Sequence, residues 1–365
     1  MSDDLPESDR LEGVPHPRET QRLYGQEVAE GAFLDAAETG RLHHGWLLTG
    51  PRGIGKATLA WRIARYLLQS PAPGMFGATL DPPQDDALAH RLRALSEPRL
   101  LLIRRPYDEK AGRFRAEIPV DEVRRLRAFF GLSAAEGGRR VVIVDTADEL
   151  NPNAANALLK VLEEPPEGAV LLLVSHQPSR LLPTIRSRCR ELRLRPLDQA
   201  DLSRALEGAG VSGEGAALAA LSGGSVGDAV RLGAGGGAEL YGHILALMAK
   251  APGMDRQAAL SLAERGAGRG NEAAFDLILT LLDLFLARLA RAGVAGPPEL
   301  EALPGEGALL ARLSPDLAAA RRWAGVQETA GARARQGRAV NLDPATLLLD
   351  MVLTLDETAA AVAAR

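Results

Sequence analysis

The chain has 365 residues, 46% of them apolar and 25% charged, which is too long for one ordinary core and predicts two or three domains of a soluble globular protein. Its 43 basic and 47 acidic side chains leave a formal charge of −4, excluding a global drive toward nucleic acid or anionic membrane. The single cysteine, Cys189, excludes an intramolecular disulfide and a cysteine-based metal cage, and suits a cytoplasmic setting.

Residues 1–18 are polar, acidic and proline-containing, lack the apolar core of a secretory signal, and read as a flexible lead. Val28, Phe33, Leu34 and Ala37 recur at helical spacing over 27–38, and Gly40 ends that helix. His43 and His44 precede a strand at 46–48; neighbours on a strand face opposite sides and no third ligand stands nearby, so a structural role is expected for both.

GPRGIGKAT, Gly50 to Thr58, follows that strand and opens an amphipathic helix over 57–68, the context of a phosphate-binding loop. Gly50, Gly53 and Gly55 let backbone amides turn toward a phosphate, and Lys56 adds a positive charge. The loop therefore points to ATP or ADP. Support for Mg²⁺ is weaker, because Ala57 stands where a serine or threonine normally offers its hydroxyl to the metal. Thr58 lies one helical step, about 100°, further round, where it can reach a phosphate but not replace that ligand.

Residues 70–98 are rich in proline, alanine and aspartate; Asp85, Asp86 and His90 read as a solvated face, and no zinc is expected. A strand at 99–103 and a helix at 120–130 follow, the helix carrying Arg124, Arg125 and Arg127 on what reads as an exposed face rather than a phosphate contact. Residues 141–144 are a β-branched run suited to a strand buried on both faces, ending in Asp145 at the edge where α/β sheets hold ligands. A helix over 153–162 stops at Pro165-Pro166, a second buried strand covers 170–174, and 181–185 leads into Ser187-Arg188-Cys189.

Beyond a short strand at 191–195, small helices are predicted at 200–207 and 215–221, then SGGSVGDAVRL, and a glycine-rich hinge at 233–237. Helical patterns follow at 241–248, 258–265, 273–292, 315–329 and 344–354, the last opened by Asp343-Pro344. The apolar stretch 275–289 carries Asp276, Asp283 and Arg288 and is too short and too charged to span a bilayer. A motif-free helical run of this kind reads as a bundle whose task is assembly.

NALLKVLEEPP followed by SRC, with Leu23-Tyr24-Gly25-Gln26 and GRLHHGWLLTGPRGIGKATLA, resembles the AAA+ clamp-loader subunits of bacterial DNA polymerase III, and among them the delta-prime branch. The resemblance implies an α/β fold: a RecA-like αβα domain with a parallel sheet over 19–196, a small helical lid over 197–237, and an all-α collar over 238–365. It implies as partners the tau/gamma-like motor subunits and the clamp-opening subunit in a five-membered ring, with the sliding clamp and primer-template DNA reached through the complex. In that family the arginine of the SRC run is presented to a neighbour's nucleotide, a role that falls here to Arg188, flanked by Ser187 and Cys189. The catalytic acid expected after Asp145 is replaced by Thr146, and the lid arginine by Gly227, with Arg231 a turn too late. Together with Ala57, these departures imply a stator with little ATPase of its own. The alternatives are an ATP-hydrolysing motor subunit, favoured by the intact Gly50–Lys56 loop, and more remotely a P-loop small-molecule kinase.

Overall fold

A computed structural model describes residues 6–69, 79–81, 87–131, 138–211, 215–268, 271–340 and 342–364. The chain divides into two compact units, Met1–Gly210 with Gly224–Gly227, and Val211–Gly223 with Asp228–Arg365.

The first unit runs α1 (Glu27–Glu38), β1 (Gly45–Thr49), α2 (Lys56–Leu68), α3 (Ala87–Arg93), β2 (Leu100–Arg104), a two-residue hairpin β3 (Tyr107–Asp108) and β4 (Arg113–Phe114), α4 (Val120–Gly131), β5 (Arg140–Asp145), α5 (Pro152–Glu163), β6 (Ala169–Ser175), α6 (Pro183–Arg186), β7 (Arg190–Arg193) and α7 (Gln199–Gly208). Five strands form one parallel sheet in the order β2-β5-β6-β1-β7. The crossovers place loops after β1 and β5 at the same, carboxyl edge. The expected αβα architecture with a parallel sheet is present, and a mostly helical region follows it.

Local chemistry explains where the central elements begin and end. β6 is buried along its whole length and β5 from Val141 onward, as their unbroken apolar runs require of inner parallel strands. Asn151 caps α5 by accepting from the Ala154 amide at 2.8 Å, and Pro152 occupies the first turn, where its missing donor costs nothing. Ala154, Leu158 and Leu162 of that helix pack on Val142, Val144, Leu171 and Leu173 of the sheet. Burying each leucine there is worth roughly 1.5–3 kcal/mol.

Two local expectations need correction. Residues 6–18 do not read as a loose lead: Glu7 accepts from Arg18 and Arg104, both at 2.8 Å, Asp9 pairs with Arg104, and His16 sits edge-on to Trp61 of α2 at 6.4 Å. The polar composition conceals charges whose partners lie far along the chain; residues 1–5 lie outside the described residues. His43 and His44 stack at 4.3 Å instead of facing apart, because both precede β1 and escape its alternation.

The second unit contains α8 (Gly215–Ser222), most of α9 (Val226–Ala234), α10 (Gly237–Ala249), α11 (Arg256–Arg265), α12 (Glu272–Ala295), α13 (Glu306–Leu313), α14 (Leu317–Ala339) and α15 (Pro344–Ala363). The glycine-rich stretch at 233–237 is a packed turn between α9 and α10, not a hinge between units. A Cβ on Gly235 would meet Leu277 at 2.5 Å, and one on Gly237 the Leu232 carbonyl at 2.8 Å, so these glycines serve close approach. Phe275, Ile278, Leu282, Phe285 and Leu289 bury one face of α12. Among the described residues no helix is long and apolar enough to cross a membrane.

Candidate functional site

The loop between β1 and α2 turns on three glycines with positive φ, Gly50 at 138°, Gly53 at 75° and Gly55 at 99°. Gly55 is also the N-cap of α2 and offers no side chain to its amides, so the first-turn donors of that helix are left to the solvent or to an anion. Close approach constrains each glycine as well. An added Cβ would meet the Leu194 carbonyl at 2.7 Å from Gly50, Ser225 Oγ at 2.4 Å from Gly53, and Leu23 Cδ1 at 2.4 Å from Gly55.

Lys56 is 3% exposed and donates to the carbonyls of Gly50, at 2.7 Å, and Pro51. Burial lowers its pKa to about 8, opposed by the carboxylates of Asp145 and Asp148. Asp145 ends β5 and is itself buried, which raises its pKa to about 7, with Asp9 adding to the rise and the hydroxyl of Thr146 at 3.1 Å opposing it. Ala57 brings no oxygen to this cluster, and Thr58, the next residue of α2, is buried. The donor set fits a phosphate through the first-turn amides, Lys56 and Thr58. It fits a catalytic Mg²⁺ poorly, because Ala57 stands where a serine or threonine would supply a ligand, and burial holds the Asp145 carboxyl above its ordinary range.

Three residues outside the sequence motif hold the loop. Gln26 donates to the Ile54 and Arg195 carbonyls at 3.3 and 2.7 Å, Ser225 Oγ donates to the Arg52 carbonyl at 2.9 Å, and the Gly227 amide donates to the Gly53 carbonyl at 3.0 Å. Gln26 was visible in the sequence beside Leu23-Tyr24-Gly25; no local pattern marks the Ser225 contact. Arg231 is turned to Asp228, its own helical neighbour.

Ser187, Arg188 and Cys189 form a second cluster at the opposite edge of the sheet. A Cβ on Gly45, the first residue of β1, would lie 3.2 Å from both the Arg188 carbonyl and Cys189 Sγ. The phosphate loop leaves β1 at its other end, so one strand length, roughly 16 Å, separates the two sites. Arg188 is 37% exposed and reaches Glu163 Oε1 at 3.0 Å and the Thr184 carbonyl at 3.1 Å, while burial pushes the Cys189 thiol up to about 12. Arg124 and Arg125 pair with Asp121 and Glu122 on their own helix at 2.8 and 2.6 Å. Asp85 and Asp86 lie outside the described residues. Among those described, no group of three or more histidine, cysteine or acidic side chains is placed to share a metal ion.

Residues 25–198 match the family described as "DNA polymerase III, delta subunit". The chain is 47% identical over 148 residues to the DNA polymerase III subunit delta' of Pseudomonas aeruginosa, covering 40% of this chain and 41% of that protein. It is 30% identical over 202 residues to the delta' subunit of Bacillus subtilis, covering 55% and 56%, and 31% identical over 192 residues to the tau subunit of Escherichia coli, covering 52% and 28%. The match thus spans 41% and 56% of the two delta' relatives' lengths. A solved gamma subunit-related protein from Thermotoga maritima, 19% identical, aligns over 90% of this chain and 99% of its own at a TM-score of 0.37.

Proposed function

We propose that this chain, which matches the family described as "DNA polymerase III, delta subunit" over residues 25–198, is a delta-prime-like stator of the clamp loader, lending Arg188 to a neighbouring subunit's ATP site. The observation that carries the reading is the placement of Arg188: an exposed guanidinium at the sheet edge opposite the chain's own phosphate loop has no phosphate of its own to serve. A guanidinium set against the transferring phosphoryl group offsets the charge that develops there, an effect of roughly 10³–10⁵ in rate. The chain's own loop lacks the means to use such help. Ala57 supplies no hydroxyl for a metal, Thr146 is no base, and Gly227 offers no cation. ADP or ATP bound in the loop would be held by the first-turn amides, Lys56 and Thr58, and would act as a structural ligand.

On this reading the partners are ATP-hydrolysing tau/gamma-like subunits and a clamp-opening subunit in a five-membered ring. Residues 238–365 supply the collar, residues 197–237 the lid, and the complex carries the chain to the sliding clamp and primer-template DNA in the cytoplasm.

The test is a loader reconstituted with Arg188→Ala. ATP turnover stimulated by clamp and primed DNA is expected to fall about tenfold or more at the affected site, and unchanged turnover overturns the reading. The intact Gly50–Lys56 loop favours one second reading, that the chain is itself a motor; ATP turnover by the isolated chain at the rate of a motor subunit decides for it.

A further inference from the structure

Glu163 stands where electrostatics alone would not place it. It is the last residue of α5, followed by Glu164, so a carboxylate sits at the negative end of the helix dipole. The free carbonyls of the last turn and this carboxylate together make a local well of negative potential. One of its occupants comes from another element: Arg188 Nη2 lies 3.0 Å from Glu163 Oε1, while Nη1 donates to the Thr184 carbonyl at 3.1 Å. The guanidinium is thereby stretched between α5 and α6. The Ser187 amide donates to the Pro183 carbonyl at 2.9 Å, and Cys189 is half-buried against the core of the first unit, so the backbone on both sides of the arginine is anchored.

We propose that Glu163 is the positioning residue of Arg188, holding the guanidinium in one extended conformation at the surface so that little side-chain freedom is lost when a neighbour's phosphate arrives. This rests on the trans role given to Arg188 above. The pair is suited to release as well as to holding. With the arginine 37% and the glutamate 42% exposed, solvent screens their attraction, and a phosphate carrying more charge than one carboxylate displaces Glu163 without stranding a buried ion.

The experiment compares loaders carrying the full-length wild-type chain, Glu163→Gln, Glu163→Asp, Arg188→Ala and the double variant Glu163→Gln/Arg188→Ala, following ATP turnover with clamp and primed DNA. Glu163→Gln is expected to lower kcat about two- to fivefold, the range an exposed ion pair can impose, with KM for ATP unchanged. Glu163→Asp recovers most of the loss, and Glu163→Gln has no effect once Arg188 is alanine. If Arg188→Ala slows turnover and Glu163→Gln does not, or speeds it, the positioning role is wrong while the trans role stands. An equal loss from Glu163→Gln in the Arg188→Ala background also overturns it, by showing that Glu163 acts on assembly instead. If Arg188→Ala changes nothing, the trans role fails and the positioning role with it.

Discussion

The amide of Gly227 donates to the carbonyl of Gly53 at 3.0 Å, tying the tip of the phosphate loop to a segment far along the chain. Ser225 reinforces the link through the Arg52 carbonyl at 2.9 Å. The loop is therefore set by tertiary contact as well as by its glycines. Gly53→Ala attacks both: φ at 75° is costly for any residue with a Cβ, and the new methyl would lie 2.4 Å from Ser225 Oγ. Backbone strain of about 1–2 kcal/mol and overpacking of about 1–3 kcal/mol predict a loss of roughly 2–5 kcal/mol in urea unfolding of the first unit. A loss under about 0.5 kcal/mol, the level of a surface substitution, means that neither constraint operates.

Asp145 gives the first unit a pH dependence of known sign. Burial, the dominant cause, raises its pKa from 3.8 to about 7, so the folded state resists ionising it. Its favourable contribution is complete below pH 3.8 and fades as pH rises through about 7. Asp145→Asn cannot ionise and escapes that loss. The variant should gain on the wild type between pH 4 and 7, by on the order of 4 kcal/mol at pH 8, and parallel melting curves from pH 3 to 9 check it. A gap that stays constant across this range contradicts the burial argument.

Nucleotide binding to the isolated chain should depend on Lys56 and little on metal. Lys56 is charged below its pKa of about 8, and only the charged form attracts phosphate. Affinity for ADP is expected to fall as pH rises beyond 8, and Lys56→Met should flatten that profile. Because Ala57 offers no metal ligand, adding EDTA should change the dissociation constant by less than about threefold, under 0.7 kcal/mol. Calorimetric titration reads both effects, and a strong Mg²⁺ requirement would show that another residue replaces the missing hydroxyl.

How legible this was varied with the range of the interaction. The strands β5 and β6 and the helix between them are written in consecutive residues, and the structure places them within a residue or two of the sequence reading. α14 extends to Ala339, well past the expected 329, because GARARQGRA carries no apolar stripe to mark it. α13 lies between prolines and was missed, although Gly305 in the left-handed region opens it. The contacts of Asp9 with Arg104, Ser225 with Arg52 and Glu163 with Arg188 join residues that no local period connects. Elements were thus readable where the pattern is local, and contacts between distant residues were not.

Cys189 is expected to be a packing thiol. Burial pushes its pKa up to about 12, so little thiolate exists at pH 8. Alkylation by iodoacetamide at that pH should run about 10²- to 10³-fold slower than for an unperturbed cysteine, and reach the ordinary rate in urea. Fast modification of the folded chain would place the thiol in solvent and remove one anchor of Arg188.

Arg288 offers the sharpest test of the second unit. It is 7% exposed, and its guanidinium meets both oxygens of Glu306, at 2.5 and 2.8 Å, as well as the carbonyls of Ala220 and Leu300 at 3.2 and 3.0 Å. Glu306 is 1% exposed and also accepts from Tyr241 Oη and the Ala302 amide, both at 2.6 Å. One arginine thus fastens α12 to α13, to α8 and to the loop between α12 and α13. Arg288→Met keeps the apolar stem but strands a buried carboxylate and two carbonyl acceptors, and should cost about 3–5 kcal/mol. Glu306→Gln in that background removes the stranded charge while keeping an acceptor for Tyr241, and should return part of the loss. Denaturant titration of the full chain, read by near-ultraviolet signals from Tyr241 and Trp323, separates the outcomes. If the double variant is no more stable than Arg288→Met, the loss comes from the neutral hydrogen bonds and not from the stranded carboxylate.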